Sequence, residues 1–486
     1  MEPYRAPRDS SFGDYGRQSF ISAREDNVST FSLDTDRTSY QLALNWARNG
    51  YEIDPSSVRA EEWVNAFNYN YDLPRNDREF AVTSEVIRHP LDDDLHLARV
   101  SFQAPVVPDD TPLNVTLVLD ASGSMRRGNR VDIAREAAEA IRESLGPRDR
   151  IAVVHFTNNV IDEYTIYHSD PDEGDAAWSI SRLAPHDSTN VQAGLNLGVR
   201  LADQARRERP DAHNYIILMS DGVANVDATD PFSILESAHD RDSRNPLRII
   251  AVGVGIENYN DYLLEQLAQH GNGWYRYLQD AEQARATFSR ENWLAISTPF
   301  ADQTRAQVNW DTDVVDSWRI VGYENRVTPD ETFTQDRKEF AELPSGTATT
   351  VFYELDLRRD GNTDRWSDLG DVELRWVEPG SGESRSQHAN VSGRLSASIE
   401  TVRDPLLRFG VVVGLAADRY SSLDEGYSNP AWVSSDLRTL NDLLATLREE
   451  LGGLQAYEDV RFLMEHMLGS IDRYVPLPTP PTGYSS

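Results

Sequence analysis

Five side chains in three short segments could together hold a hard metal ion. They are Asp120, Ser122 and Ser124 in Asp120-Ala121-Ser122-Gly123-Ser124, Thr189 in Ser188-Thr189-Asn190, and Asp221 in Ser220-Asp221-Gly222. Two carboxylates and three hydroxyls are all hard oxygen donors, which suits octahedral Mg²⁺, with Mn²⁺ or Ca²⁺ able to use the same place. Taken singly, each segment reads as a helix cap or a polar turn, because Asp, Ser and Thr are favoured at both. Whether they form one site depends on the elements around them.

Leu113 to Leu119 is a continuous apolar run, as expected of a strand covered on both faces, and the first segment follows at its carboxyl end. A helix over Val131 to Leu145 follows, with Val131, Ala134, Ala138, Ile141 and Leu145 on one face and Gly146-Pro147 as its stop. Further strands are expected at Ile151 to Phe156, Val160 to Tyr167, Tyr215 to Met219, Arg248 to Val254 and Trp274 to Leu278. Helices near Val191 to Arg206, Pro231 to His239, Asp261 to His270 and Asp280 to Leu294 separate most of them. This alternation predicts an α/β unit over residues 111–295 with a doubly wound, mainly parallel sheet. Such sheets bind ligands beyond the carboxyl ends of their strands, where the three segments would share one rim.

The flanks differ. Residues 1–29 lack apolar periodicity and read as a flexible arm, as does the Pro- and Thr-rich tail 476–486. Residues 30–110 carry two expected helices, Ser39 to Asn49 and Ser57 to Phe67, then alternating strands at Phe80 to Arg88 and Leu95 to Gln103. Residues 296–475 return to alternation at Thr304 to Trp310, Trp318 to Tyr323, Ala348 to Leu357 and Asp371 to Val377, and end in helices. Strands on both sides of the α/β unit predict a β-sandwich built by both flanks, with the central unit inserted into it and C-terminal helices added.

The segment from Asn114 to Phe288 resembles a von Willebrand factor type A domain. Asp120, Ser122, Ser124, Thr189 and Asp221 match that family's metal-ion-dependent adhesion site (MIDAS). Thr30-Phe31-Ser32-Leu33-Asp34, Glu62 to Phe67 and Arg319 to Arg326 resemble the flanking regions of a bacterial envelope family with this domain in its middle. The resemblance implies that the hydroxyls bind the ion directly while the carboxylates often act through water. One position is then left for an Asp or Glu of a protein partner. It also implies an extracytoplasmic location, although no lipoprotein or signal-peptide pattern follows Met1. An alternative is an intracellular partner of a separate AAA+ or chelatase-type ATPase, since this chain has no G-x-x-x-x-G-K-[ST].

Composition narrows the field. A net charge of −33 argues against nucleic acid and anionic membrane surfaces as partners. No apolar stretch reaches the roughly 18 residues that span a bilayer, so membrane insertion is not expected. Zero cysteine excludes disulfides, thiol nucleophiles and thiolate metal sites. With no G-x-S-x-G elbow and no His base beside the metal residues, an enzyme is not expected. Asp360, Asn362, Asp364, Asp368 and Asp371 have the spacing of a Ca²⁺ loop, but Arg365 stands in place of the turn glycine and strands flank it, so a polar hairpin is expected. His155 lies inside an expected strand and reads as a core histidine.

Overall fold

In the strand Leu113–Asp120 every residue is buried, and its side chains serve two cores in turn. Val115, Leu117 and Leu119 face one layer of helices, while Val118 faces the other. This is the period-2 geometry of a strand sandwiched between helices, and it explains the unbroken apolar run. The computed structural model describes residues 18–33, 36–107, 111–186, 188–222, 231–235, 245–254, 261–269, 271, 273–289, 292, 298–323, 330, 333–334, 341–358, 366–379, 381–424 and 428–471.

The strand lies inside a six-stranded sheet whose order is Tyr275–Leu278, Leu247–Val254, His213–Ser220, Leu113–Asp120, Arg150–Phe156, Ile166–Ser169. All neighbours are parallel except the last pair, which is antiparallel. The chain runs from Leu113–Asp120 first to one side and later to the other. The carboxyl end of that strand is therefore the sheet's switch point, where a crevice opens between diverging loops. Helices Arg130–Ser144, Asp175–Ser181 and Ala281–Thr287 cover one face, and Val191–Glu208, Pro231–Leu235 and Asp261–Gln269 the other. The long helix Val191–Glu208 sits close to the sheet because Gly194 and Gly198 face Phe156 and Val118. A Cβ on Gly198 would lie 2.6 Å from Val118 Cγ2.

Both flanks build the sandwich, as the sequence leads one to expect. In one sheet the order is Ile21–Ser22, Val315–Val321, Ala348–Leu357, Leu95–Gln103, Ala81–Arg88, so strands of both flanks share it, with the two C-terminal strands between N-terminal ones. Leu95–Gln103 pairs directly with Ala348–Leu357. In the other, Ala341–Pro344, Pro299–Trp310, Trp366–Val377 and Ser384–Arg394 run in that order, and Val28–Ser32 also pairs with Pro299–Trp310. Phe31, Phe102, Tyr353 and Trp376 share the core between the sheets.

The first sheet is buried on its other face as well. Leu97, Val321 and Phe352 point at helices Thr38–Arg48, Ala60–Val64, Pro405–Ser421, Pro430–Thr446 and Gln455–Ile471. A buried charge cluster pins this contact. Arg319 donates to Asp418 at 2.8 and 3.0 Å and to Glu354 at 2.8 Å, and Arg419 reaches both carboxylates from the helix. The central unit is tied to the rest by Arg248, which grips Asp302 through two 2.8 Å hydrogen bonds, and by Leu42 and Trp46, which enter its core.

Several expectations need correction. The arm is not free up to residue 29: Ile21 pairs with Trp318 and Ser29 with Val308, polar strands held by backbone bonds that apolar periodicity does not reveal. The expected helix Ser57 to Phe67 is a 3₁₀ turn at Pro55–Ser57 and a short helix Ala60–Val64. Val160 to Tyr167 is not one strand, since a 3₁₀ turn at Asp162–Tyr164 precedes the strand Ile166–Ser169. Glu324 to Arg326 and the tail 476–486 lie outside the described residues.

Candidate metal centre

Asp120 is the last residue of its strand, and its carboxylate is fixed on both oxygens. Oδ1 accepts the Ser122 backbone N–H at 2.8 Å, and Oδ2 accepts the Ser220 hydroxyl of the adjacent strand at 2.5 Å. Ser122 leads into a 3₁₀ turn at Gly123–Arg126, which brings the Ser122 and Ser124 hydroxyls within 2.9 Å of each other. The chain carrying Thr189 is laid against this turn. His186 forms a bridge with Ser122, and its N–H donates to the Ala121 carbonyl at 2.6 Å. Ser188 N–H then donates to Asn158 Oδ1 at 3.0 Å, and Asn190 caps the helix Val191–Glu208 by accepting from Ala193 N–H at 2.9 Å. Asp221 follows the strand His213–Ser220 directly.

All five residues named from the sequence thus sit on three loops at the switch point. Asp120, Ser122, Thr189 and Asp221 are buried. Burial first, and the Asp221 charge second, push the Asp120 carboxyl up to about 7. Two carboxylates in one dry pocket favour a cation between them. A 2.9 Å separation of the two serine oxygens is an ordinary hydrogen bond, and it also equals the cis edge, about 2.9 Å, of an octahedron with the short Mg–O bonds. By donor type and by this spacing, the residues fit a small divalent ion. Among the described residues no cluster of three or more His, Cys, Asp or Glu is arranged to hold a metal.

The residue that sequence reasoning missed is Arg130. Only 2% exposed, it donates from Nη1 to Asp221 Oδ2 at 2.6 Å and to the Ser124 carbonyl at 3.2 Å. Its signal was its place six residues after Ser124 at the start of a helix, where a basic side chain is unfavourable without an anion beside it. Ser220 and Asn190 were quoted only as neighbours of the motif, yet they orient Asp120 and the Thr189 loop.

Residues 114–290 match the von Willebrand factor type A domain family. The central unit is a von Willebrand factor type A domain. On either side, residues 6–99 match a von Willebrand factor model and residues 297–421 the C-terminal region of YfbK. The chain is homologous to the uncharacterized protein YfbK of Escherichia coli (strain K12), with 27% identity over 403 residues, covering 77% of this chain and 69% of that one. The human inter-alpha-trypsin inhibitor heavy chain H3 is 28% identical over 191 residues, 38% of this chain and 21% of that one. Among solved structures, a von Willebrand factor type A protein from Catenulispora acidiphila aligns with a TM-score of 0.47 and 16% identity, over 78% of this chain and 90% of that one. Von Willebrand factor type A domains mediate protein–protein interactions and commonly bind a divalent metal at a MIDAS.

The weaker motifs stay outside the site. His155 is a core residue: its Nε2 lies 3.1 Å from the Ser179 hydroxyl, and burial pulls its pKa down to about 4, leaving it neutral. Asp360, Asn362 and Asp364 lie outside the described residues. Asp368 and Asp371 belong to the strand Trp366–Val377, where Asp371 accepts a hydrogen bond from Asn309 at 3.2 Å. Among the described residues no helix is long and apolar enough to cross a membrane.

Proposed function

We propose that this chain is a non-catalytic, metal-dependent protein-binding module of the bacterial cell envelope, whose MIDAS takes an Asp or Glu side chain from its partner. The observation that carries the reading is the convergence of Ser122 and Ser124, 2.9 Å apart, with Thr189 and the two buried aspartates at one switch point. Ser122, Ser124 and Thr189 would hold Mg²⁺ through their hydroxyls, and Asp120 and Asp221 would orient its waters. Bound there, the ion supplies an electrophilic centre for a partner carboxylate. Neutral hydroxyls suit that task, because they leave more of the ion's charge for the incoming ligand than an all-carboxylate shell would. The loops lie at the carboxyl edge of the sheet, whose strands fix where the side chains sit. The envelope location rests on the resemblance of the flanking segments to the envelope family.

Affinity capture tests the reading. Immobilised protein in Mg²⁺ should retain a partner that a chelator releases, and Asp120→Ala should retain none while its circular dichroism stays native. Retention by Asp120→Ala in excess chelator, equal to wild type in Mg²⁺, would reduce the domain to a scaffold. Fractionation of the native host tests the location: recovery with the soluble cytoplasm, together with a motor ATPase, contradicts it.

A further inference from the structure

We infer that Arg130 is a resident counter-cation of the metal centre, competing with a divalent ion for Asp221 and thereby setting how tightly that ion is held. The inference rests on the metal-site reading above and concerns its regulation. Arg130 and Asp221 are 2% and 0% exposed, and the Nη1–Oδ2 distance of 2.6 Å is that of a strong charge-assisted hydrogen bond. The carboxylate that would face the ion is therefore already engaged by a fixed positive charge.

Three further observations separate this from an ordinary buried ion pair. Arg130 is the first residue of the helix Arg130–Ser144, where the helix dipole disfavours a cation, and its neighbour Asn129 provides no side-chain cap. The Nη2 amino group of Arg130 is buried without a hydrogen-bond partner, so its anchorage comes through Nη1, from Asp221 and the Ser124 carbonyl. The formal charges of these three side chains also count: with both carboxylates ionised Asp120 and Asp221 give −2, Arg130 brings their sum to −1, and a divalent ion would take it to +1. Without Arg130 the same ion would bring it to 0. Like charges a few ångströms apart in a dry pocket repel strongly. Arg130 therefore lowers the centre's affinity for the ion, while stabilising the loops by neutralising Asp221. Ion binding would free the guanidinium from Asp221 and leave it on the Ser124 carbonyl, which belongs to the same turn.

Titration calorimetry of the full chain with Mg²⁺ and Mn²⁺ tests this, paired with thermal unfolding in chelator and in excess metal. Arg130→Met should bind the ion about tenfold tighter or more, whereas Arg130→Lys, which keeps the charge, should stay near wild type. In chelator Arg130→Met should melt below wild type, and added metal should raise its Tm by more than it raises that of wild type. Arg130→Gln retains an amide donor for the Ser124 carbonyl and gives the same readout if the methionine variant does not fold. Unchanged or weaker affinity in the folded neutral variants overturns the inference and leaves Arg130 a structural ion pair. Absence of Mg²⁺ and Mn²⁺ binding by wild type would instead remove the metal-site reading, and this inference with it.

Discussion

Replacing Arg319 by methionine should lower folding stability by about 3 kcal/mol at neutral pH. Arg319 is 4% exposed and meets Glu354 and Asp418, each 2% exposed, between the first sandwich sheet and the helix Pro405–Ser421. Removing one partner of a buried pair usually costs about 3–5 kcal/mol, because the remaining charge stays desolvated. Arg419 still reaches Asp418 at 2.9 Å and Glu354 at 3.0 Å, which puts the expectation at the low end. The titration of Glu354 gives a second measure. Burial pushes its pKa up, but the His89 contact and the Arg319 and Arg419 charges outweigh that and hold it at about 2, against an ordinary 4.5. That depression corresponds to about 3 kcal/mol by linkage, shared among His89, Arg319 and Arg419, so the Arg319 share of it is the part lost in the variant. Since the folded pKa is the lower one, the contribution is complete above pH 4.5 and fades as pH falls through about 2. Urea unfolding of wild type and variant between pH 7 and pH 3 is the assay. The gap should be about 3 kcal/mol at pH 7 and roughly half that at pH 3. A gap below about 1 kcal/mol at pH 7, or one that widens on acidification, would show that Arg319 does not hold the cluster together.

Gly198→Ala should destabilise the central domain by about 1–2 kcal/mol, because overpacking against Val118 outweighs the gain in helix propensity; a raised Tm would contradict this. Asp371→Asn should leave Ca²⁺ titrations of the full chain unchanged, because Asp371 sits in a strand bonded to Asn309; micromolar Ca²⁺ binding lost in this variant would overturn that. Because the chain carries −33, association with an acidic partner should speed up as salt is added, screening beyond a Debye length of roughly 10 Å at 0.1 M. Stopped-flow rates that fall with salt would show that the partner's docking face is basic.

What was legible in the sequence follows from how each element is buried. Leu113–Asp120 and Leu247–Val254 are covered on both faces, so continuous apolar runs announced them and the carboxyl-end rim with them. Leu95–Gln103 was equally plain, and its register with Ala348–Leu357 makes the predicted sandwich from both flanks. The strand Ser384–Arg394 was missed because it is nearly all polar and half-exposed, with its pairing supplied by Trp366–Val377. The helix Asp175–Ser181 hid behind the acidic run before it: it opens at Gly174, whose φ of 84° only glycine takes readily, and no side-chain cap marks it. That Asp120 and Asp221 stand at strand ends and Thr189 before a helix was legible, because apolar runs and a cap mark those boundaries. Arg130 was only weakly marked, by a basic side chain at the start of a helix, and the anion that explains it, Asp221, lies 91 residues away in sequence.

Anomalous diffraction from crystals of the full chain grown in Mn²⁺ shows whether the Ser122–Ser124 rim holds a metal ion. An anomalous peak is expected within bonding distance, about 2.1–2.3 Å, of both the Ser122 and Ser124 hydroxyl oxygens, with Asp120 and Asp221 bordering it. A map with no peak at that rim, or with manganese bound only among surface carboxylates elsewhere, would contradict it.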